Sequence, residues 1–192
     1  MSSEVEISNS ALLQLGEDPI TSMDDATKKA SLCKLFYPTV RDAVLRAYPW
    51  RCAITFQSLG LLAGVDAIST EATPFAYTFQ LPVNPWCLRA LLINADKTLA
   101  WEVIGRKLLS DESSVNLRYI YRVTDPGNFD PLLIDSIACR LASMLAYPIT
   151  ANPTMSKTMY ALYMDKLVEA RSIDSMEGSN EDYESVDLLE VR

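Results

Sequence analysis

The chain of 192 residues contains no histidine. Histidine is the commonest general base, so its absence excludes Ser-His-Asp and Cys-His catalysis. An enzyme with this sequence would have to use carboxylates, lysine or tyrosine. Adjacent carboxylates occur in three segments that are typical of turns and helix caps, which favours a structural role over metal binding or acid-base chemistry: Asp24-Asp25, Asp111-Glu112 and Glu181-Asp182. We therefore expect neither enzymatic activity nor a metal site.

Glycine and paired cysteines are scarce as well. The six glycines form no G-x-G or Walker pattern, so the sequence has no phosphate-binding loop, and we expect no nucleotide or other cofactor. The four cysteines include no Cys-x-x-Cys pair. We interpret them as small apolar core residues rather than as redox or metal ligands.

Long hydrophobic runs are also absent. Apolar stretches such as residues 88–93 are far shorter than the roughly 20 residues of a membrane span, and the N-terminus lacks the basic and apolar regions of a signal peptide. Because 49% of the residues are hydrophobic, the chain can still bury a core of ordinary size. We expect one soluble domain that is made in a cytoplasm and contacts no membrane.

The net charge of -8 is unevenly distributed. Residues 1–25 and 174–192 are acidic, whereas residues 26–52 are basic. This distribution suits charge pairing between copies of the chain better than DNA binding, for which a basic domain is expected. A solvated helix face is the other interpretation. The cations that we assign to contacts between subunits are Lys28, Lys29, Arg41 and Arg46.

Apolar residues recur at helical spacing in four segments, which are residues 2–15, 25–48, 130–147 and 153–173. The first helix is expected to open with a capping box that starts at Ser3, and Gly16 fits the left-handed position after its end. Asp24 or Asp25 is expected to cap the second helix, where an acidic side chain also complements the helix dipole.

Prolines mark the other helix boundaries. Asp130-Pro131 and Asn152-Pro153 each place a capping side chain before a proline in the first turn, so they predict the starts of the third and fourth helices. Pro38 predicts a kink or a restart within the second helix, because proline costs roughly 3 kcal/mol in a helix interior. Pro148 is expected to end the third helix.

The hydrophobic period changes to two between residues 53 and 124, which predicts β-strands. The strand candidates are residues 53–59, 75–81, 88–94, 101–108 and 115–123. Their short connections predict one small antiparallel sheet. The expected fold is therefore α+β, with four main helices packed as a bundle and the sheet inserted between the second and third helices. Residues 1–174 are assigned to this single domain.

Two tryptophans next to prolines, Trp50 and Trp86, are candidates for stacking on nucleic-acid bases. Both lie where helix meets sheet or strand meets strand, which favours core packing instead. Pro49 cannot continue the hydrogen-bonding ladder of the second helix. We therefore interpret Pro49 and Trp50 as a fixed joint between the helices and the sheet.

Residues 175–192 form an acidic extended tail that cannot bury enough apolar surface to order itself. Five apolar side chains are spaced along it: Tyr183, Val186, Leu188, Leu189 and Val191. Such spacing indicates a segment that docks on a partner by adding a strand or forming a short helix. A solvated terminus is the alternative.

Several segments, in a fixed order, together resemble one protein family. They are Ile7–Gly16 (I-x-N-x-A-L-x-x-L-G), Pro19–Ser22, Tyr37–Leu45, Tyr48–Ala53, Tyr77–Pro82, Trp101–Leu109, Tyr119–Tyr121 and Phe129–Leu132. These segments are similar to the head-to-tail adaptor proteins of short-tailed bacteriophages, a family also called tail tubular protein A or the gatekeeper of the connector.

The resemblance implies a structural virion protein of the phage neck that is made in the bacterial host cytoplasm. Proteins of this family form rings, usually of twelve copies, which dock under the portal protein and join it to the tail nozzle or tail-fibre proteins. Double-stranded DNA passes through such a ring without specific binding. The family's C-terminal segment reaches the portal, which implies portal docking for the five apolar tail residues.

Two other functions are compatible with the sequence. The first is a non-viral α+β module that binds a protein or a small ligand, and the second is a hydrolase that uses carboxylates without histidine.

Overall fold

A computed structural model describes residues 3–62 and 74–177. Its elements follow the order α1 (Glu4–Gln14), α2 (Lys28–Ala47), β1 (Ile54–Ser58), β2 (Tyr77–Gln80), β3 (Cys87–Ile93), β4 (Trp101–Ile104), β5 (Lys107–Ser110), β6 (Asn116–Tyr121), α3 (Pro131–Thr150) and α4 (Pro153–Met176). The α+β class, with a β region between the second and third of four main helices, is confirmed.

The caps predicted for three helices are confirmed. At α1 the N–H of Glu6 donates to Ser3 Oγ at 3.1 Å, and the N–H of Ser3 donates to Glu6 Oε2 at 2.8 Å. Gly16 follows this helix with a φ of 76°. Asp130 and Asn152 accept hydrogen bonds from N–H groups in the first turns of α3 and α4. These ends follow the sequence closely because capping is a local interaction.

The start of α2 differs from the prediction. Thr27 is the N-cap, and its side chain accepts a hydrogen bond from the N–H of Ala30 at 3.2 Å. The carboxylate of Asp25 instead accepts from backbone N–H groups of the preceding loop, while Asp24 pairs with Lys34. Both carboxylates are therefore already used, and the helix begins at residue 28 rather than residue 25.

Proline has less effect on two helices than the sequence predicts. Helix α2 continues through Pro38 as a single element, so a restart is excluded, and a kink there stays a prediction. Helix α3 continues past Pro148 to Thr150 and ends at Ala151, which has a φ of 54°. Apolar side chains of both helices remain buried in one core, and this packing outweighs the loss at proline. Helix α4 also runs further than expected, to Met176.

Helix α3 is the centre of the helical part and contacts α1, α2 and α4. By length and composition alone, this helix is apolar enough to cross a membrane, but 56% of its most apolar window is buried inside the fold. A core helix passes the same test, so the finding is weak evidence for a membrane span.

The β region forms two three-stranded antiparallel sheets, whereas the sequence predicted one. Sheet 1 has the order β1-β6-β3, and sheet 2 has the order β2-β5-β4. The segment 101–108, expected to be a single strand, is a hairpin in which β4 turns into β5 at Gly105. Gly105 has a φ of 60°, which glycine adopts readily. Apolar residues on both sides of this turn hide it in the hydrophobic pattern.

Sheet 1 separates two hydrophobic cores. Ile120 of β6 lies in the helical core, whereas Leu117 and Tyr119 of the same strand lie in a second core. Phe79 of β2 and Leu108 of β5 complete that second core, so sheet 2 covers the outer side of sheet 1. The layers are thus helices, sheet 1 and sheet 2.

Candidate functional site

The lysines assigned to subunit contacts have acceptors within their own chain. Lys28 Nζ donates to the carbonyl of Pro148 at 2.6 Å. Lys29 Nζ lies 2.7 Å from Glu17 Oε2, and this pairing raises the pKa of Lys29. The two lysines therefore hold the start of α2 against the end of α3 and the loop after α1.

The two arginines of that set lie in different environments. Arg41 is 6% exposed and its Nη2 lies 2.9 Å from Oδ1 of Asp42. The same carboxylate binds Arg122 Nε through its other oxygen, at 2.7 Å. Arg41 is thus buried in a network that joins α2 to the segment after β6 and is not presented to another copy. Arg46 is exposed and donates to the carbonyl of Leu88. A subunit contact through the other three cations stays a prediction.

The joint between α2 and β1 is built on a buried indole. Trp50 is 1% exposed, and its Nε1–H donates to the carbonyl of Val44 at 3.0 Å. The ring of Tyr48 meets it edge to face, with the centroids 4.9 Å apart. Pro49 follows the end of α2 and is half-buried. The Pro49-Trp50 pair therefore fixes the course of the chain through packing.

The end of α4 is attached to the same joint. The N–H of Arg51 donates to Oδ1 of Asp174 at 3.0 Å, and the hydroxyl of Tyr48 donates to the carbonyl of Arg171 at 3.4 Å. Burial raises the pKa of the Asp174 carboxyl, although the Arg51 N–H acts in the opposite direction. The five apolar tail residues lie outside the described residues, in the segment that follows Glu177: Tyr183, Val186, Leu188, Leu189 and Val191.

Trp86 is at the surface, so the expectation that it packs in the core is wrong. Its side chain is 38% exposed. The guanidinium carbon of Arg106 lies 4.0 Å from the centroid of the Trp86 ring, and that of Arg122 lies 5.4 Å away. These are cation–π distances, so the indole helps to hold two positive charges at the surface.

Three arginines converge on one cleft beside β3. The cleft has a volume of about 260 Å³, and Arg46 of α2, Arg89 of β3 and Arg106 of the β4–β5 turn line it. Its walls also include the apolar side chains of Leu81, Leu88 and Trp101. We call this site the arginine cleft. Within residues 3–62 and 74–177, none of its arginines has a carboxylate partner.

Backbone carbonyls hold the guanidinium groups in place. Arg46 donates to the carbonyl of Leu88, and Arg106 donates to the carbonyls of Cys87, at 2.7 Å, and Pro82. Neutral carbonyls orient a guanidinium but leave its charge uncompensated. In addition, Nε of Arg106 is buried without a hydrogen-bond partner in the part of the chain that the structure describes. The arrangement suits a ligand that combines carboxylates or another anion with apolar groups.

The sequence does not reveal this cleft, because its arginines come from three segments. Only Arg46 belongs to the basic region that the charge pattern marks. The sequence offers one weak indication of the cleft, because Arg106 follows Gly105 within one of the segments that resemble the adaptor family. For metal binding, the described residues offer no group of three or more Cys, Asp or Glu side chains. Two of their close carboxylates, Asp25 and Asp111, accept hydrogen bonds from backbone N–H groups of loops.

Comparison with known proteins adds no family. No protein-family model matches the chain, and no curated protein matches it significantly. The described geometry defines an α+β protein with a joint between helices and sheets and a cationic surface cleft. The resemblance to phage adaptors stays a prediction.

Proposed function

We propose that the chain is a structural subunit of the head-to-tail adaptor ring of a short-tailed bacteriophage. An exposed apolar surface on α3 and α4 carries this proposal. Met144 and Tyr147 lie on one ridge of α3, and Tyr160, Met164 and Val168 lie on one ridge of α4. We call these five residues the α3–α4 face. Tyr147 is 61% exposed and Val168 is 64% exposed.

Helices α3 and α4, which carry these two ridges, pack against each other. The guanidinium carbon of Arg140, one turn before Met144, lies 4.9 Å from the ring centroid of Tyr160. About one turn closer to the connection between the two helices, Ser156 Oγ donates to the carbonyl of Ser143 at 2.8 Å. Exposed apolar surface of this kind marks protein–protein contacts, because its burial removes apolar area from water and contributes about 25 cal/mol per Å².

A ring needs two different surfaces on each subunit that meet head to tail. The α3–α4 face supplies one apolar surface for such a contact, and the resemblance supplies the kind of assembly. In this proposal the ring, usually of twelve copies in the family, docks under the portal in the virion. The tail residues contact the portal, and the ring passes DNA towards the nozzle without binding it specifically.

Light scattering of the purified chain, alone and mixed with portal protein, tests the proposal. We expect a ring on the portal, and we expect Val168→Asp to abolish it while the far-UV circular dichroism stays unchanged. The same change at Leu167, which is 3% exposed, is expected to unfold the chain, so folding and assembly are read separately. A matched control is Leu35→Asp, because this exposed leucine lies on α2 outside the face.

The proposal fails if the wild-type chain stays monomeric with every portal protein tried. A small anionic ligand that binds a chain of unchanged mass would instead support the second function, a non-viral α+β binding module. The arginine cleft is the observation that favours that alternative.

A further inference from the structure

The arginine cleft contains three positive charges that no carboxylate of the described residues neutralises. We propose that its ligand is an acidic peptide segment, residues 181–191 of the same chain. This inference does not rest on the adaptor role and concerns the free chain, whose tail would have to leave the cleft before the same residues could contact a portal.

The chemistry of this segment matches the cleft. Its sequence, EDYESVDLLEV, carries five carboxylates and no cation, with apolar residues between them. Arginine binds carboxylates through two parallel N–H···O bonds, and the apolar walls suit valine and leucine side chains. A cleft of about 260 Å³ lies below the usual volume of ligand pockets and admits a few side chains rather than a nucleic-acid duplex. The small volume and the apolar walls therefore favour a peptide over nucleic acid.

The tail also starts in the right place. Arg171 and Asp174, near the end of α4, contact Tyr48 and the N–H of Arg51. Arg46 of the cleft lies two residues before Tyr48, in the last turn of α2. Fifteen residues follow Glu177. An extended chain of this length spans up to about 50 Å, so the segment can reach the cleft without crossing the whole fold.

The mode of binding follows from the edge of sheet 1. Strand β3 is an edge strand, and an edge ordinarily invites the addition of another strand. Here Arg46 and Arg106 already occupy the carbonyls of Leu88 and Cys87 on β3. The acidic segment is therefore held through its carboxylates, and not by a new β-ladder.

The contact can be measured in the full-length chain, because its three tryptophans report on different regions. A nitroxide label is attached at Ser185→Cys in ¹⁵N-labelled protein, and the indole N–H signals are recorded by NMR. We expect selective broadening of Trp86 and Trp101, which lie at the cleft, relative to Trp50 in the helical core. The native thiols of Cys33, Cys87 and Cys139 are buried, and burial raises the pKa of Cys52 to about 11, so all four resist labelling.

Two variants and one control test the assignment. The first variant, Arg89→Glu, is expected to remove the selective broadening. The second variant replaces the five carboxylates of the tail by amides, leaves the folded part unchanged, and is expected to have the same effect. Lys157→Glu makes the same charge change as Arg89→Glu on an exposed residue of α4 away from the cleft, and it is expected to keep the broadening.

Three outcomes would overturn the proposal. The first is equal broadening of all three indoles, or broadening that persists in Arg89→Glu. The second is broadening that occurs only between differently labelled molecules, which would place the tail of a second copy in the cleft. The third is a short DNA duplex that shifts the Trp86 and Trp101 signals in competition with the native tail, which would make nucleic acid the ligand.

Discussion

Replacement of Trp50 by alanine should remove a large part of the stability of this protein. The side chain is 1% exposed, so truncation leaves a cavity and forfeits buried apolar area, which costs about 3–5 kcal/mol. The hydrogen bond from Nε1 to the carbonyl of Val44, 3.0 Å long, adds about 1 kcal/mol. Domains of this size are stable by about 5–15 kcal/mol. We therefore expect Trp50→Ala to be poorly soluble and close to its unfolding threshold.

Urea unfolding followed by far-UV circular dichroism measures this loss, since the substitution also removes a fluorophore. Trp50→Phe keeps a ring but loses the N–H donor, so it should cost less than Trp50→Ala and more than about 1 kcal/mol. The control is Trp86→Ala, at an indole that is 38% exposed, with an expected loss of about 0.5–1.5 kcal/mol. If Trp50→Ala costs no more than this control, the indole does not hold the joint.

Three further substitutions test other contacts. Asn9→Ala removes two hydrogen bonds: Asn9 Oδ1 accepts from the N–H of Ile20 at 2.8 Å, and Asn9 Nδ2 donates to the carbonyl of Ile20 at 2.9 Å. It should lower the free energy of unfolding, measured in urea, by about 1–3 kcal/mol. Gly105→Ala should cost roughly 1 kcal/mol because φ is 60°, whereas Gly60→Ala, in open space without a positive φ, should be neutral. Asp174→Asn should raise the melting temperature at pH 7 but give no advantage below pH 3.8. Burial in the folded state raises the pKa of this carboxyl above its ordinary value of 3.8, so the folded protein binds the proton more tightly than the unfolded chain does. The contribution of Asp174 to the free energy of unfolding of the wild type therefore increases as the pH falls. An equal pH dependence in both proteins would contradict this reasoning.

The sequence predicts the local features of this fold well. Caps such as Ser3, Asp130 and Asn152 are recognised because each contacts N–H groups only two or three residues away. The number of sheets is not local information. The pairing of β2 with β5, and of β1 and β3 with β6, depends on contacts between distant segments, and the turn at Gly105 interrupts no hydrophobic pattern. The arginine cleft depends on the same pairing and could not be predicted.

The residues that carry the adaptor resemblance have structural roles in this chain. Asn9 attaches the loop at Ile20 to α1, Asp42 joins α2 to Arg122, and Trp50 holds the joint. A match at such positions is informative about the fold, because those side chains determine how helices, loop and sheets meet. It bears on function only through the fold, and one fold hosts many functions. Function is therefore best argued from a surface that the resembling segments do not include.

Helix α4 provides such a surface because it is apolar on two neighbouring faces. Tyr163, Leu167 and Ala170 are buried against the rest of the fold, as the hydrophobic spacing predicts. Tyr160, Met164 and Val168 follow the same spacing but are exposed, and no element in the described part of the chain covers them. One buried face is enough to hold a helix on a domain. The second apolar face leaves much of its area in water in a monomer, and the contact with another subunit proposed above would bury that area.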